Sequence, residues 1–161
     1  METEPWPEPV ERVAGVLRTA GVEARIEEFP EGTPTAADAA RAAGCELGAI
    51  VKSLVVLCDG RPLLVLVPGD RRADLRKVAA AAGCSGTRTA SPAEVLAATG
   101  FEAGAVAPFP LPAGTRVLGE RTLLARDEAW IGAGSPTHLA AISPVELFRL
   151  ARAEAIDAVE E

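Results

Sequence analysis

The chain has 161 residues, a hydrophobic fraction of 48% and a formal net charge of −7 at pH 7. This length and composition predict one globular domain and exclude a largely disordered chain. The negative charge argues against a protein that coats long nucleic acids, so any contact with nucleic acid is expected to be local.

The N-terminal end, residues 1–9, is acidic and interrupted by prolines, and it is predicted to be a tail in front of a domain spanning 10–159. It lacks the basic and apolar regions of a signal peptide. No apolar run approaches the ~20 residues that a membrane helix requires. The expected location is therefore the cytoplasm, with no membrane contact.

The first half of the chain predicts two helices, a strand and a hairpin. Apolar residues at helical spacing indicate a helix over 9–20, and Thr35 can cap a short helix that ends at 43. Alternation predicts a strand over 23–29. Two apolar runs, 49–58 and 61–67, flank Asp59-Gly60, a dipeptide typical of hairpin turns.

The second half mixes short helices and strands. Helices are predicted over 71–82, over 91–98 and over 143–152, and the last two open with a serine, a proline and an acid at capping positions. Short strands are predicted over 115–118, 128–131 and 138–142, with an edge strand over 155–159. Helices mixed with hairpins predict an α/β (α+β) domain in which helices flank a mixed sheet.

Lys52 is the first candidate functional residue. It is one of only two lysines, and it lies near the start of an apolar strand, on the same face as Leu54 and Val56, whereas Ser53 shares the other face with Val55. A cation on an apolar face must reach a pocket, a partner or solvent. A strand-end lysine that extends to water is the competing interpretation.

Two glycine-rich loops are the next candidates. The loop 104–110 contains Gly104 and Pro108 and could form a rigid pocket wall, although ordinary turns have the same composition. The loop 132–138 contains Gly134, Ser135 and His138, the single histidine. It is not a P-loop, and this segment holds no acid that could orient the histidine, so a serine hydrolase is not favoured. A structural histidine in a turn is the simpler interpretation.

Arg72, Arg76 and Lys77 form the only dense basic cluster, and i, i+4 spacing would place Arg72 and Arg76 on one helix face. A solvated helix face is the favoured interpretation, and a small phosphate-binding patch is the alternative. The three cysteines, Cys45, Cys58 and Cys84, lack metal-ligand spacing and are expected to be buried thiols.

Taken in order, these segments resemble the YbaK/ProX/EbsC family, the free-standing relatives of the insertion editing domain of bacterial prolyl-tRNA synthetase. The resemblance covers roughly residues 10–159. The segments that carry it are 50–55, the Asp59-Gly60 hairpin, 74–79, 99–101, 104–109, 132–134 and 143–147.

The resemblance implies hydrolysis, in trans, of the ester of a mischarged aminoacyl-tRNA, on a curved mixed sheet flanked by helices, without a metal or another cofactor. The family's essential lysine falls on Lys52, with Ser53 beside it where alanine-specific members have asparagine. Its GxxxP loop falls on Gly104 and Pro108, and its second pocket segment falls on Gly134, Ser135 and His138. Arg72, Arg76 and Lys77 are the expected tRNA contacts.

The expected partners are the acceptor end of a mischarged tRNA, such as tRNA-Pro carrying alanine, cysteine, serine or threonine, and an aminoacyl-tRNA synthetase. The sequence leaves two alternatives open. The first is a non-catalytic binding module for an aminoacyl or nucleotide ligand or for a protein. The second is an unrelated small-ester hydrolase that uses Ser135 and His138.

Overall fold

The structure is a computed structural model that describes residues 6–161. Residues 1–5 of the predicted tail lie outside this range, and the first helix already begins at Glu8. The described helices are α1 (Glu8–Ala20), α2 (Ala36–Ala43), α3 (Leu75–Ala82), α4 (Pro92–Thr99) and α5 (Pro144–Ala151). The strands are β1 (Ala24–Glu28), β2 (Val51–Cys58), β3 (Arg61–Pro68), β4 (Thr87–Thr89), β5 (Arg116–Glu120), β6 (Ala129–Gly132), β7 (His138–Ile142) and β8 (Ala153–Ile156).

The strands form two sheets. The larger has the order β4-β2-β3-β5-β8 and is mixed, because β4-β2 and β2-β3 are antiparallel and the other two pairs are parallel. The smaller has the order β1-β7-β6 and is antiparallel. A bridge between Ile50 and Trp130 joins them just before β2. The predicted α+β domain with a mixed sheet is confirmed, with its strands divided between two sheets.

Local capping explains where most helices begin and end. The Thr35 hydroxyl accepts the Asp38 N–H at 3.0 Å, and Ser91 and Glu94 form a reciprocal capping box at the start of α4. Four helices are followed by a glycine in the left-handed conformation, which has no Cβ to oppose it; these are Gly21, Gly44, Gly83 and Gly100. These predicted boundaries are confirmed to within one residue.

One predicted helix start is wrong, and one predicted helix cap does not form. The third helix begins at Leu75 and not at residue 71, because the Asp74 carboxylate caps it by accepting the N–H groups of Arg76 and Lys77. Arg72 therefore precedes the helix, and the prediction that it shares a helix face with Arg76 is wrong. At α5 the predicted serine precedes the helix, but the Ser143 side chain makes no capping hydrogen bond.

Two strands differ from the predictions. The three-residue β4 was not predicted, because its residues become a strand only by pairing with β2. The last strand begins two residues earlier than predicted and lies at the sheet edge as expected, paired in parallel with β5.

The cysteine prediction is wrong for two of the three residues. Cys58 and Cys84 form a disulfide that joins the end of β2 to the residue after the α3 cap. Cys45 is a free, partly buried thiol whose pKa is raised, chiefly by its burial.

The two faces of β2 contact different apolar clusters. Val55 belongs to the main cluster, which includes Val106 and Phe109, whereas Val56 belongs to a second cluster with Val78. Leu54 packs against the second cluster. The predicted alternation is thus confirmed. Lys52 and Ser53, the second and third residues of β2, point to opposite faces of the sheet.

Candidate active site

A cavity of about 350 Å³ lies at the beginning of β2. It is lined by residues from four distant parts of the chain, namely Thr33, Pro34, Thr35, Ala36, Ala39, Ile50, Val51, Lys52, Ser53, Leu54, Gly104, Val106, Gly132, Ser135 and Leu139. Four larger surface clefts are lined by other segments. Three of them contain none of the predicted site residues, and the fourth contains Arg76 and Lys77. The fold therefore brings Lys52, Ser53, Gly104 and Ser135 to one place.

The Lys52 ammonium is held by a backbone group. Its Nζ donates a hydrogen bond to the carbonyl oxygen of Arg71 at 2.8 Å. Partial burial lowers the pKa of Lys52, the nearby positive charge of Arg72 lowers it further, and Asp70 opposes both effects. An ammonium has three N–H groups, so two remain for a ligand.

Ser53 carries a hydroxyl without a partner. Its Oγ is buried, and no hydrogen-bonding group among residues 6–161 reaches it. A buried polar atom in this state is less stable by about 1–3 kcal/mol than a paired one. The atom lies beside the cavity, so a bound molecule or water is the natural source of the missing hydrogen bond.

The loop that was predicted to form a pocket wall does so through Gly104 and Val106. Gly104 has a φ of +85°, a conformation that favours glycine. Pro108 is buried but does not line the cavity. Gly132 of β6 faces this loop so closely that a Cβ on it would lie 2.5 Å from the Val106 carbonyl oxygen.

Of the three predicted site residues in the loop 132–138, one lines the cavity and two do not. Ser135 lines the cavity, whereas His138 is 3% exposed and does not. The Ser135 Oγ is 2.6 Å from His138 Nδ1. Gly134 is buried against the start of α1, where a Cβ would lie 2.6 Å from the Pro9 carbonyl oxygen.

The basic residues lie outside the cavity. Arg72 and Arg76 are exposed, and the charge of Arg72 acts on Lys52. Lys77 is already engaged, because its Nζ is 3.0 Å from the Asp157 carboxylate and 2.8 Å from the Val159 carbonyl oxygen. Of the predicted tRNA contacts, Arg72 is thus the one whose charge is linked to the cavity.

The C-terminal residues brace the segment that holds Lys52. The Glu160 N–H donates to the Arg72 carbonyl at 2.9 Å, and the Asp74 N–H donates to the Ala158 carbonyl at 2.8 Å. Arg71 returns a hydrogen bond from its guanidinium to the Glu160 carbonyl. The position of the Arg71 carbonyl, and with it that of the ammonium, is therefore fixed by residues at the other end of the chain.

Sequence reasoning missed three contributors to this site. The Arg71 carbonyl and Val106 act through backbone position or apolar contact, for which the sequence carries no distinctive signal. Glu28, whose carboxylate is 3.7 Å from His138 Nε2, comes from β1 and meets the histidine only because Glu28 pairs with His138 in the β1–β7 register.

Two further properties of the described residues bear on chemistry. Within residues 6–161 no helix has both the length and the apolar character needed to cross a bilayer. Over the same range, no three or more His, Cys, Asp or Glu side chains are grouped so that they could hold a metal ion.

Comparison with known proteins gives one family match. Residues 30–150 match the aminoacyl-tRNA editing domain family. Over 134 residues the chain is 34% identical to a proline–tRNA ligase of Nitratidesulfovibrio vulgaris, covering 81% of this chain and 23% of the ligase. The chain thus spans about a quarter of the length of that relative.

Two relatives of similar size also match. The uncharacterized protein YwhH of Bacillus subtilis is 32% identical over 123 residues, which cover 76% of this chain and 78% of YwhH. A solved structure, provisionally described as a trans-editing enzyme for prolyl tRNA synthetase, superposes with a TM-score of 0.89 at 36% identity. The superposition covers 98% of this chain and 100% of that one.

Proposed function

The chain belongs to the aminoacyl-tRNA editing domain family, and from this membership we propose that it hydrolyses, in trans, the ester of a mischarged tRNA that carries a small amino acid. Membership of this family implies a deacylase activity. The proposed substrates are tRNAs bearing alanine, cysteine, serine or threonine, with tRNA-Pro as the first candidate.

One observation carries the proposal. The adjacent Lys52 and Ser53 line one cavity of about 350 Å³ together with Gly104 and Ser135, although these three segments are far apart in the sequence. A cation, a hydroxyl that no polar group among residues 6–161 reaches, and a glycine-rich backbone are groups that can bind and polarise an ester. Their convergence supports an ester-hydrolysing site. A cation would equally serve a module that binds a nucleotide, so the release of amino acid is what separates the two functions.

Lys52 is proposed to stabilise the negative charge that develops on the carbonyl oxygen of the ester, or to bind the terminal phosphate. Its ammonium is held in place before substrate arrives, because Nζ is hydrogen-bonded to the Arg71 carbonyl. A positioned donor of this kind loses little free energy to reorganisation during the reaction. An aminoacyl ester is already activated, so positioning of water and ester accounts for much of the rate.

The apolar walls of the cavity are proposed to select small amino acids by exclusion. Val106, Leu139 and Ile50 form part of this wall, and Ala36 and Ala39 line it from α2. One methylene group in such a pocket changes binding by about 1–3 kcal/mol. Selection of this strength explains why a separate editing site is useful to a synthetase.

The charge of the chain limits how the tRNA is bound. A net charge of −7 repels a long polyanion, so only the acceptor end is proposed to enter, with Arg72 and Arg76 as local phosphate contacts. An aminoacyl-tRNA synthetase is the proposed partner that binds the rest of the tRNA.

The test is a panel of tRNAs charged with alanine, cysteine, serine or threonine. The expected result is release of the amino acid by the wild-type protein and loss of release in Lys52→Met, with both proteins folded. If instead the protein retards the charged tRNA in a gel without releasing any amino acid, it is the binding module and the proposal is wrong.

A further inference from the structure

The single histidine is almost completely buried. His138 is 3% exposed, and the Trp6 ring packs edge-on against it at a centroid distance of 5.4 Å. His138 is also not among the residues that line the cavity. Any part it has in the chemistry must pass through a neighbour.

That neighbour is Ser135, which does line the cavity. Its Oγ is 2.6 Å from His138 Nδ1, within hydrogen-bond range, and the hydroxyl is also fixed by the Thr137 N–H, which donates to it at 3.1 Å. The Thr137 hydroxyl is farther from Nδ1, at 3.1 Å. Ser135 thus connects the cavity to the buried ring.

The other ring nitrogen faces a carboxylate. His138 Nε2 is 3.7 Å from Glu28 Oε2, and the Glu28 side chain is 57% exposed. An anion beside Nε2 favours the tautomer that carries the proton there. Nδ1 is then the acceptor, and the Ser135 hydroxyl is the closest donor to it. The three groups form a continuous path from the cavity to the surface.

We propose that Ser135 is the proton acceptor of the cavity and that His138 and Glu28 are positioning residues acting through it; this inference rests on the proposed deacylase function. When water attacks the ester carbonyl, Ser135 takes a proton from that water while its own hydroxyl proton passes to Nδ1. The resulting imidazolium is stabilised by Glu28. Return of the proton through Ser135 to the departing ribose oxygen breaks the ester bond and restores all three groups.

The net reaction is the hydrolysis of the ester by one water molecule, which yields the free amino acid and the tRNA hydroxyl. Water and not Ser135 attacks the carbonyl, so no acyl group is attached to the protein at any stage. This distinguishes the proposed relay from a serine hydrolase that uses the same two residues.

Because the chain contains one histidine, labelling with ¹⁵N-histidine gives the ring signals of His138 alone. The expected spectrum of the wild type at neutral pH is that of the Nε2-protonated tautomer. Glu28→Gln removes the charge with little change in shape, and it is expected to raise the share of the Nδ1-protonated form. Glu27→Gln is the matched control, since this neighbour lies on the other face of β1 beside Arg25, and neither the spectrum nor the rate should change.

In the deacylation assay, Ser135→Ala is expected to lower kcat by about 100-fold and Glu28→Gln by about tenfold, with KM nearly unchanged, as for general acid–base groups. The double variant should be no slower than Ser135→Ala alone, because the residues act as one unit. Thermal melting of each variant shows whether the fold is retained, and Glu28 is exposed enough that its variant is expected to fold.

Three results overturn the relay. They are an unchanged tautomer in Glu28→Gln, a wild-type kcat in Ser135→Ala, or additive losses in the double variant. If Lys52→Met is inactive while Ser135→Ala and Glu28→Gln keep the full rate, the relay is wrong and the deacylase function stands. If the wild type releases no amino acid from any tRNA, both are wrong.

Discussion

Replacing Lys52 by methionine tests the proposed site most directly, because methionine keeps much of the apolar stem and removes the charge. The stability effect is expected to be small. The variant loses one hydrogen bond to the Arg71 carbonyl, a loss of about 1 kcal/mol, but it also removes a partly buried ammonium whose burial lowers its pKa. These effects oppose each other, so Tm should change by no more than about 4 °C.

The expected effect on activity is much larger. Removing one donor that stabilises a developing oxyanion costs about 2.7–4 kcal/mol, which is a 100- to 1,000-fold fall in rate. The assay is release of labelled amino acid from a mischarged tRNA, with kcat/KM measured beside a thermal melt.

The only other lysine supplies a matched control. The Lys77 ammonium is paired with Asp157 and the Val159 carbonyl, outside the cavity. Lys77→Met should therefore lower stability and lower kcat/KM far less than Lys52→Met, because the charge it removes lies outside the cavity. The reasoning fails if Lys52→Met melts normally and keeps kcat/KM within threefold of the wild type.

Three other properties can be measured on the same protein. Reduction of the Cys58–Cys84 disulfide, which closes a separation of 26 residues, should lower the free energy of unfolding by about 3–4 kcal/mol and Tm by about 10 °C; a melt that reductant leaves unchanged would contradict this. Gly132→Ala should lower kcat/KM at least about tenfold, because its Cβ would displace the Val106 carbonyl and the cavity wall with it; a wild-type rate would show that the wall can yield. The pKa of Lys52 should lie below the ordinary value of about 10.4, as followed by NMR of the labelled ammonium. Deacylation should then fall as pH rises through that pKa, and stability should rise between the folded and unfolded pKa values, where the unfolded chain binds more protons; an ordinary or raised pKa would contradict both trends.

The elements that the sequence predicted well are those fixed by neighbouring residues. The capping box at Ser91 and the Asp59-Gly60 hairpin each depend on residues only a few positions apart, and both were found. The elements that it missed depend on distant partners. The strand β4 is three residues that pair with β2, and the disulfide joins residues whose approach is decided by the tertiary fold.

The candidate site also contains residues that the sequence reveals and residues that it does not. Lys52 is conspicuous in the sequence, because it is an ammonium in an apolar strand and one of two lysines. The Arg71 carbonyl that holds Lys52 and the Glu28 carboxylate are not conspicuous in the sequence, because every residue has a carbonyl and surface glutamates are common. Their importance comes from the β1–β7 register and from the loop after β3, which hydrophobic periodicity does not specify.

The C-terminal residues bear on how this site can evolve. Residues 158–160 pair with the segment whose carbonyl holds the Lys52 ammonium, although they do not line the cavity. Substitutions there would act on the Arg71 carbonyl and on the ammonium that it holds, without changing any residue that lines the cavity. In the proposed deacylase, catalytic rate and substrate choice would therefore be set by different parts of the chain, and selection would act on one without disturbing the other.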